Sequence, residues 1–330
     1  MGIKIKSSII FLGTGGDSFV VSRQLRSSGG IILQVDDNQF HIDPGPGALA
    51  RAADFGVNLR ANTAVLVSHN HLIHCNDINA VIYAMTYSGF DKKGVLVSNS
   101  TIANGAENYQ PFLMKSAREC LEKHIILEPG KKVGINEVEI RALKAVHSEP
   151  NTIGFKFLTP YYTLSYSADT MYTEEIAEQY KNSNILILNV LSQKKEDAGM
   201  NLCIGDAVKI INAVKPRLAI ITHFGINMVK ANPLYEVREI QKQTGVHVIA
   251  ANDGMIINPI SHSIESAQKT IFQSAGESSG LPAQIKEEAA ESNADEKKEE
   301  QKTITTEELM KTDKPLKELF KEYSKDLLEE

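Results

Sequence analysis

The sequence has no tryptophan, only three cysteines, and no apolar run approaching the roughly 18 residues that a membrane-spanning helix requires. The three cysteines are odd in number and far apart, at Cys75, Cys120 and Cys203, so they predict no disulfide framework. These absences argue against a membrane protein and against a disulfide-stabilised secreted domain. They predict a protein of the reducing cytoplasm.

Negative charge is concentrated in the C-terminal part of the chain. Residues 261–330 contain 17 acidic and 10 basic residues, whereas the whole chain has a net charge of −6, so residues 1–260 carry about +1. Residues 261–302 are rich in Glu, Lys, Ser and Ala with few large apolar side chains, a composition that predicts a disordered acidic linker. The near-neutral body does not by its charge indicate nucleic-acid binding.

Residues 303–330 regain helical periodicity and predict an amphipathic C-terminal helix. Such a helix could dock on its own body or on a second copy of the chain, or it could bind a partner protein from a tether. The apolar residues that share one face of this helix are Leu316, Leu319, Phe320, Tyr323 and Leu327.

Residues 1–260 alternate short β-branched runs with helical patterns, which is typical of an α/β layered domain. The predicted helices cover 76–89, 110–124, 173–182, 205–215 and 232–245. The predicted strands cover 8–13, 30–35, 39–43, 64–69, 94–99, 137–146, 152–158, 162–169, 185–191, 218–225 and 246–253.

One stretch, SHNHLIH at residues 68–74, places His69, His71 and His74 within six positions. Residues i and i+2 of a strand face the same side, so His69 and His71 can bind one metal ion together, while His74 can turn to a second ion. Neutral imidazole is a favoured zinc ligand. Two further polar residues, Asp169 and His223, also follow apolar runs, at the strand ends where α/β folds gather their sites.

A competing hypothesis comes from FLGTGGDS, which supplies Gly13 and Gly15 after a strand, followed by Asp36 and Asp37 about twenty residues on. That spacing imitates a dinucleotide-binding fingerprint. The third glycine is absent, because Ser18 stands in its place. Because the glycine fingerprint is incomplete, metal binding by the histidine cluster is the favoured hypothesis and dinucleotide binding the weaker one.

Taken together, the motifs resemble those of the metallo-β-lactamase superfamily, especially the compact branch near tRNase Z and related phosphodiesterases. The resemblance implies an α/β fold of the αββα type, in which two β-sheets face each other with helices outside. The motifs that carry it, in order, are FLGTGG, HIDPGPGAL at 41–49, the histidine cluster, AVHS with His147, YSADT with Asp169, ITHFG with His223 and AANDGMIINP.

The resemblance also implies the ligands of the site. His69, His71 and His147 would hold a first metal ion, His74 and His223 a second, and Asp169 would bridge the two ions as a catalytic residue. Zinc is expected, as one or two ions, with manganese or iron as alternatives. Asp43, in the DPGPG turn, would either orient a metal-binding histidine or cap the turn.

Two positions depart from the family pattern. Ile73 replaces the aspartate of the family's His-x-His-x-Asp-His motif, which leaves the second site one anionic ligand short unless Asp77, Cys75 or water fills the gap. Asn201 stands about where many relatives place a catalytic histidine, and asparagine can donate a hydrogen bond but no proton.

The sequence therefore predicts a metal-dependent hydrolase that attacks a phosphodiester or an ester and has a weakened second metal site. Its expected substrates are small molecules or nucleotide or RNA phosphodiesters, and the resemblance also implies a homo-oligomer. The alternative function is a non-catalytic binding protein of the same fold that acts through its surface and its C-terminal tail.

Overall fold

Strands that are apolar on both faces build the centre of the fold. The computed structural model describes residues 7–263. In the first strand, Ile9 and Phe11 point to one side and pack between two sheets, whereas Ile10 and Leu12 point to the other side and pack under helices. A strand buried on both faces requires a layer on each side of its sheet.

Two β-sheets lie face to face, which confirms the predicted αββα sandwich. The first sheet has the order β15-β1-β2-β3-β4-β5-β6, and the second has the order β14-β13-β11-β10-β9-β8-β7, with β12 paired to β11. The strands are β1 (Ser7–Gly13), β2 (Ser28–Val35), β3 (Asn38–Ile42), β4 (Asn62–Val67), β5 (Val95–Ser98), β6 (Lys123–Ile126), β7 (Lys132–Ile135), β8 (Val138–Lys144), β9 (Ile153–Leu158), β10 (Thr163–Tyr166), β11 (Ile185–Ser192), β12 (Leu202–Cys203), β13 (Leu218–Thr222), β14 (Val248–Ala250) and β15 (Ile256–Ile257).

Helices cover the outer faces of both sheets. Apolar side chains of α2, α4 and α6 pack on the first sheet, and those of α7, α8, α9 and α10 pack on the second. The helices are α1 (Ser18–Ser22), α2 (Ala48–Asp54), α3 (Leu72–Cys75), α4 (Ile78–Thr86), α5 (Ser100–Asn104), α6 (Lys115–Glu119), α7 (Glu174–Gln179), α8 (Ile204–Val214), α9 (Ile226–Ala231) and α10 (Pro233–Thr244), with 3₁₀ turns at Leu59–Ala61, Lys195–Asp197 and Pro259–His262.

The prediction of a helix over 110–124 is wrong outside Lys115–Glu119. Only Lys115–Glu119 is helical, and Lys123–Ile126 forms strand β6, which pairs parallel to β5. His124 therefore lies in a strand, where its Nε2 is 2.9 Å from the Ser98 hydroxyl. The secondary structure of this segment is determined by pairing with a neighbouring strand, which helical periodicity in the sequence does not indicate. The short strands β7, β12 and β15 were not predicted either.

Residue His262, which the sequence places in the tail, instead lies in the 3₁₀ turn at Pro259–His262. Most of the predicted linker at 261–302 and the whole predicted helix at 303–330 lie outside the described residues. Within residues 7–263, no helix has both the length and the apolar character needed to cross a membrane.

Candidate metal centre

The ends of several strands from both sheets meet at one edge of the sandwich. Strands β3 and β4 run parallel in the first sheet, and β10, β11 and β13 run parallel in the second. Parallel strands finish at the same edge, so the residues that follow them come together. Asp43 follows β3, His69 follows β4, Asp169 follows β10 and His223 follows β13, while His147 enters from the loop after β8.

A first group of ligand atoms consists of His69, His71, His147 and Asp169, whose ligand atoms all lie within 4.8 Å of one another. His69 Nε2 is 3.0 Å from His71 Nδ1, and His147 Nε2 is 3.1 Å from the same His71 atom. Zn–N bonds of about 2.0–2.1 Å in a tetrahedron give N–N separations of roughly 3.3 Å. The nitrogens therefore have the spacing of a set of metal ligands.

The protons of two of these histidines point away from the common centre. His147 Nδ1 donates to the Met200 carbonyl at 3.0 Å. The Ser68 hydroxyl donates to Asp43 at 2.7 Å, so it accepts from His69 Nδ1 at 2.9 Å. Both imidazoles thus present an Nε2 lone pair inwards, and one proton on His71 Nδ1 can satisfy only one of them. Converging lone pairs of this kind fit a cation.

A second group consists of His74, His223 and the same Asp169. His74 Nε2 is 3.0 Å from His223 Nε2 and 3.3 Å from Asp169 Oδ2, and His223 Nε2 is 3.3 Å from Asp169 Oδ1. Asp169 therefore presents one carboxylate to both groups, and the three side chains of the second group are buried. The second group has one ligand fewer than the first.

The side chain of Asp43 orients the second group. Its Oδ2 accepts hydrogen bonds from His74 Nδ1 at 3.0 Å and from the Tyr166 hydroxyl at 2.7 Å. The two oxygens also accept from the backbone N–H and the hydroxyl of Ser68, each at 2.7 Å. Of the two roles expected for Asp43, the structure shows the contact with a histidine of the candidate site, His74. Such partners set the direction and basicity of a metal-binding imidazole.

Asn189, on β11, orients the carboxylate that the two groups share. Its Nδ2 donates to Asp169 Oδ1 at 2.8 Å and is 3.2 Å from the Tyr166 hydroxyl. Asp43, Tyr166, Asn189 and Asp169 therefore form one buried chain of hydrogen bonds beneath the histidines. Because every one of these polar groups has a partner, the network keeps the ligands in a single arrangement.

Burial and the neighbouring charges hold most of the histidines neutral. Burial lowers the pKa of His69 well below its usual value, and His74 beside it adds to the effect. Burial also lowers the pKa of His71 and the pKa of His223 to about 4. Metal ligands must be deprotonated, so these three imidazoles are in the state that binding requires.

His74 and Asp169 behave differently because they face each other. Burial is the largest influence on His74 and lowers its pKa, but Asp169 and Asp43 outweigh it and raise the pKa to about 10. Burial also favours neutral Asp169, but His223 and His74 hold the pKa of this carboxyl well below its usual range. In the metal-free protein the second group is therefore an ion pair, and His74 must lose a proton before it can bind a metal.

The structure places Ile73, which creates the gap in the second site, and the two residues considered for filling it, Asp77 and Cys75. Ile73 is half-buried and lines a cavity of about 30 Å³ together with Asp43, His74, Asn189 and His223. Asp77 Oδ2 instead accepts from the Ala48 backbone N–H at 2.9 Å. The Cys75 thiol is buried and points to Asn70 Oδ1 at 3.7 Å, and burial raises the pKa of this thiol. Neither Asp77 nor Cys75 belongs to the second group.

Asn201 lies directly after Met200, whose carbonyl accepts from His147. Its own backbone accepts from Lys195 Nζ at 3.3 Å. The side-chain oxygen of Asn201 is buried without a hydrogen-bond partner among the described residues. The structure thus brings the Asn201 loop to the first group, and a catalytic role for the side chain stays a prediction.

Sequence reasoning missed Ser68, Tyr166, Asn189 and the Met200 carbonyl. The signal for Asn189 was a polar residue inside the apolar run ILILNVL, and Tyr166 stands three residues before Asp169. The Met200 carbonyl could not be found from the sequence, because every residue has a backbone carbonyl. Its contact with His147 depends only on the path of the backbone in the folded protein.

Comparison with known families agrees with the fold. The profile of a family described as "Beta-lactamase superfamily domain" matches residues 38–224. The uncharacterized protein MJ1374 of Methanocaldococcus jannaschii is 31% identical over 253 residues, which cover 76% of this chain and 94% of that protein.

Two further proteins are similar over different lengths. The protein named Ribonuclease Z of Methanopyrus kandleri is 29% identical over 150 residues, which cover 46% of this chain and 50% of that protein. The crystal structure of the metallo-β-lactamase fold protein YhfI from Bacillus subtilis superimposes with a TM-score of 0.63 at 19% identity, covering 76% of this chain and 98% of that one.

Proposed function

This chain belongs to the metallo-β-lactamase superfamily, and on that basis we propose that it is a metal-dependent hydrolase of phosphodiesters. The observation that carries the proposal is the pair of ligand groups that share Asp169 at one edge of the sandwich. Three histidines and a carboxylate make a donor set that suits zinc, with manganese and iron as alternatives.

In this proposal His69, His71, His147 and Asp169 hold the principal metal ion. A bound divalent ion supplies Lewis acidity, which polarises the scissile ester and acidifies water at neutral pH. The chain keeps this centre rigid through the Ser68, Met200 and Asn189 hydrogen bonds to His69, His147 and Asp169. Because His69 and Asp169 are buried, solvent screens the electrostatic interactions of these side chains only weakly.

We further propose that the second group binds metal weakly. It offers two imidazoles and a carboxylate that it shares with the first group, and the neighbouring position 73 carries an apolar side chain. Neither Asp77 nor Cys75 reaches the second group, so water would have to complete it. An incomplete ligand set with one shared charge binds a second cation less tightly than a full one.

A phosphodiester substrate is favoured by the sequence similarity to the protein named Ribonuclease Z, and a nucleotide or RNA would supply such a bond. Small esters stay the second class of substrate. Asn201 cannot supply a proton to the leaving group, so the best substrates should have leaving groups that depart without one. A cytoplasmic, homo-oligomeric enzyme is the accompanying proposal.

The first experiment measures metal per chain by elemental analysis on the native protein, on Ile73→Asp and on the size-matched neutral control Ile73→Asn. Hydrolysis of bis(p-nitrophenyl) phosphate is followed on the same samples. We expect one tightly bound ion in the native chain and in Ile73→Asn. We expect two ions and faster turnover in Ile73→Asp, because only aspartate adds an anionic ligand.

The outcomes separate the parts of the proposal. Two ions in the native chain would refute the weakened second site and leave the hydrolase standing. Absence of metal and of turnover in all three proteins would overturn the enzyme and favour the non-catalytic binding protein. For that alternative, the tail that would carry the partner lies outside the described residues.

A further inference from the structure

The first group is accessible to solvent at His71 and His147. These two residues are half-buried, whereas His69, His74, Asp169 and His223 are buried. A substrate can therefore approach the first group from the side of these two histidines. A residue that borders this opening can contact the substrate next to its reacting bond.

Tyr109 borders that opening. Its ring centroid lies 6.0 Å from the centroid of the His71 ring, at an interplanar angle of 49°. Ala106 and Tyr109 exchange both backbone hydrogen bonds, at 2.8 and 3.0 Å, so the ring sits on a closed turn between α5 and α6. Tyr109 is half-buried, so the residue is partly accessible to a ligand.

The turn is tied to the metal-binding motif itself. Asn70 stands between His69 and His71, and its Nδ2 donates to the Gln110 carbonyl at 2.7 Å. The residue after Tyr109 is thus hydrogen-bonded to the residue between two ligand histidines. The distance from the Tyr109 ring to the first group is therefore set by a short chain of contacts.

We infer that Tyr109 is a positioning residue that stacks on an aromatic group of the substrate, such as a nucleobase, on the side of the phosphodiester that does not leave. The inference rests on the proposed function, because it needs a reacting bond at the first group. An exposed aromatic face accepts any flat ring, and base–aromatic stacking is tolerant of sequence. The structure thus assigns substrates with an aromatic substituent to this site in preference to alkyl phosphodiesters.

The test compares two substrates that share a leaving group. Thymidine 5′-(p-nitrophenyl) phosphate carries a base on the group that stays, and methyl p-nitrophenyl phosphate carries none. The ratio of their kcat/KM values is measured on the full-length, metal-loaded protein and on Tyr109→Leu, Tyr109→Phe and the control Tyr235→Leu. Tyr235 is an equally aromatic residue on α10 with 62% exposure and no place in the site.

We expect Tyr109→Leu to lower the ratio by about three- to tenfold through a higher KM for the nucleotide. Tyr109→Phe and Tyr235→Leu should keep the native ratio, and metal content should be unchanged in all variants. An unchanged ratio in Tyr109→Leu, or an equal fall in Tyr109→Phe, would overturn stacking by this ring. Loss of metal in Tyr109→Leu would do the same, by showing that the residue supports the structure of the site.

Native protein that hydrolyses neither substrate would instead refute the proposed function. The two failures are therefore distinguishable, because the stacking inference is judged only by the ratio between two substrates of an active enzyme.

Discussion

Replacement of Asp43 by asparagine should damage both the stability and the metal binding of this protein. Asp43 Oδ2 accepts from three donors, namely the Ser68 hydroxyl, His74 Nδ1 and the Tyr166 hydroxyl, at 2.7, 3.0 and 2.7 Å. If the asparagine oxygen stays on the Ser68 backbone N–H, its NH₂ group faces all three donors. The hydroxyls can rotate, but the His74 N–H cannot.

The magnitude follows from the number of hydrogen bonds lost. A hydrogen bond to a charged group contributes about 1.5–3 kcal/mol. The His74 bond is lost and the two hydroxyl bonds are partly recovered by rotation, so the cost is about 3 to 4 kcal/mol. Loss of an orienting carboxylate should also weaken metal binding at the second group by about 10- to 100-fold. Asp77→Asn is the matched control. Half-buried Asp77 accepts one hydrogen bond at each oxygen from the residues that the structure describes, so this substitution should cost about 1 kcal/mol.

The assay is urea unfolding of the chelator-treated protein, followed by far-UV circular dichroism, for the two variants and the native chain. Metal competition against a chromophoric chelator then measures affinity, with Ile73→Asp as the background in which we expect the second group to bind metal most tightly. Equal destabilisation by Asp43→Asn and Asp77→Asn, together with unchanged metal affinity, would refute the orienting role of Asp43.

Two further predictions test the residues that surround the site. Burial lowers the pKa of His41 to about 4, so the folded protein binds a proton at His41 less tightly than the unfolded chain does. The stability that neutral His41 contributes is therefore complete above pH 6.5 and is lost as the pH falls toward 4. In His41→Gln, the free energy of unfolding should fall by about 3 kcal/mol less than in the native protein between pH 6.5 and 4, as measured by urea unfolding. Identical pH profiles of stability for the two proteins would contradict the lowered pKa of His41. A Cβ at Gly16 would lie 2.1 Å from the His223 carbonyl oxygen, so Gly16→Ala should displace His223 and lower the metal affinity of the second group in chelator competition. The control Gly134→Ala, which meets no atom within 4 Å, should leave that affinity unchanged, and equal effects of the two substitutions would argue against a specific contact.

Much of the fold was predictable because it depends on local patterns. Runs such as Ile9–Leu12 are apolar on both faces, and such strands need helices on one side and a second sheet on the other. The segment at 123–126 was not predictable in this way. The helix predicted over 110–124 overlaps its first two residues, and pairing with β5 makes the segment a strand.

The candidate metal centre likewise has features that the sequence predicts and features that only the tertiary structure shows. The sequence by itself determined which side chains could act as ligands, because the spacing of His69, His71 and His74 and the strand ends at Asp169 and His223 are local features. The tertiary structure alone decided which nitrogen each imidazole presents, that Asp43 contacts His74, that Asp77 and Cys75 stay outside the second group, and that Tyr109 borders the opening. These facts join residues as far apart as His74 and His223, 149 positions along the chain, and such contacts depend on how the two sheets pack. A periodic pattern indicates which face of a strand is buried, but it does not indicate which distant strands end beside that strand in the folded protein.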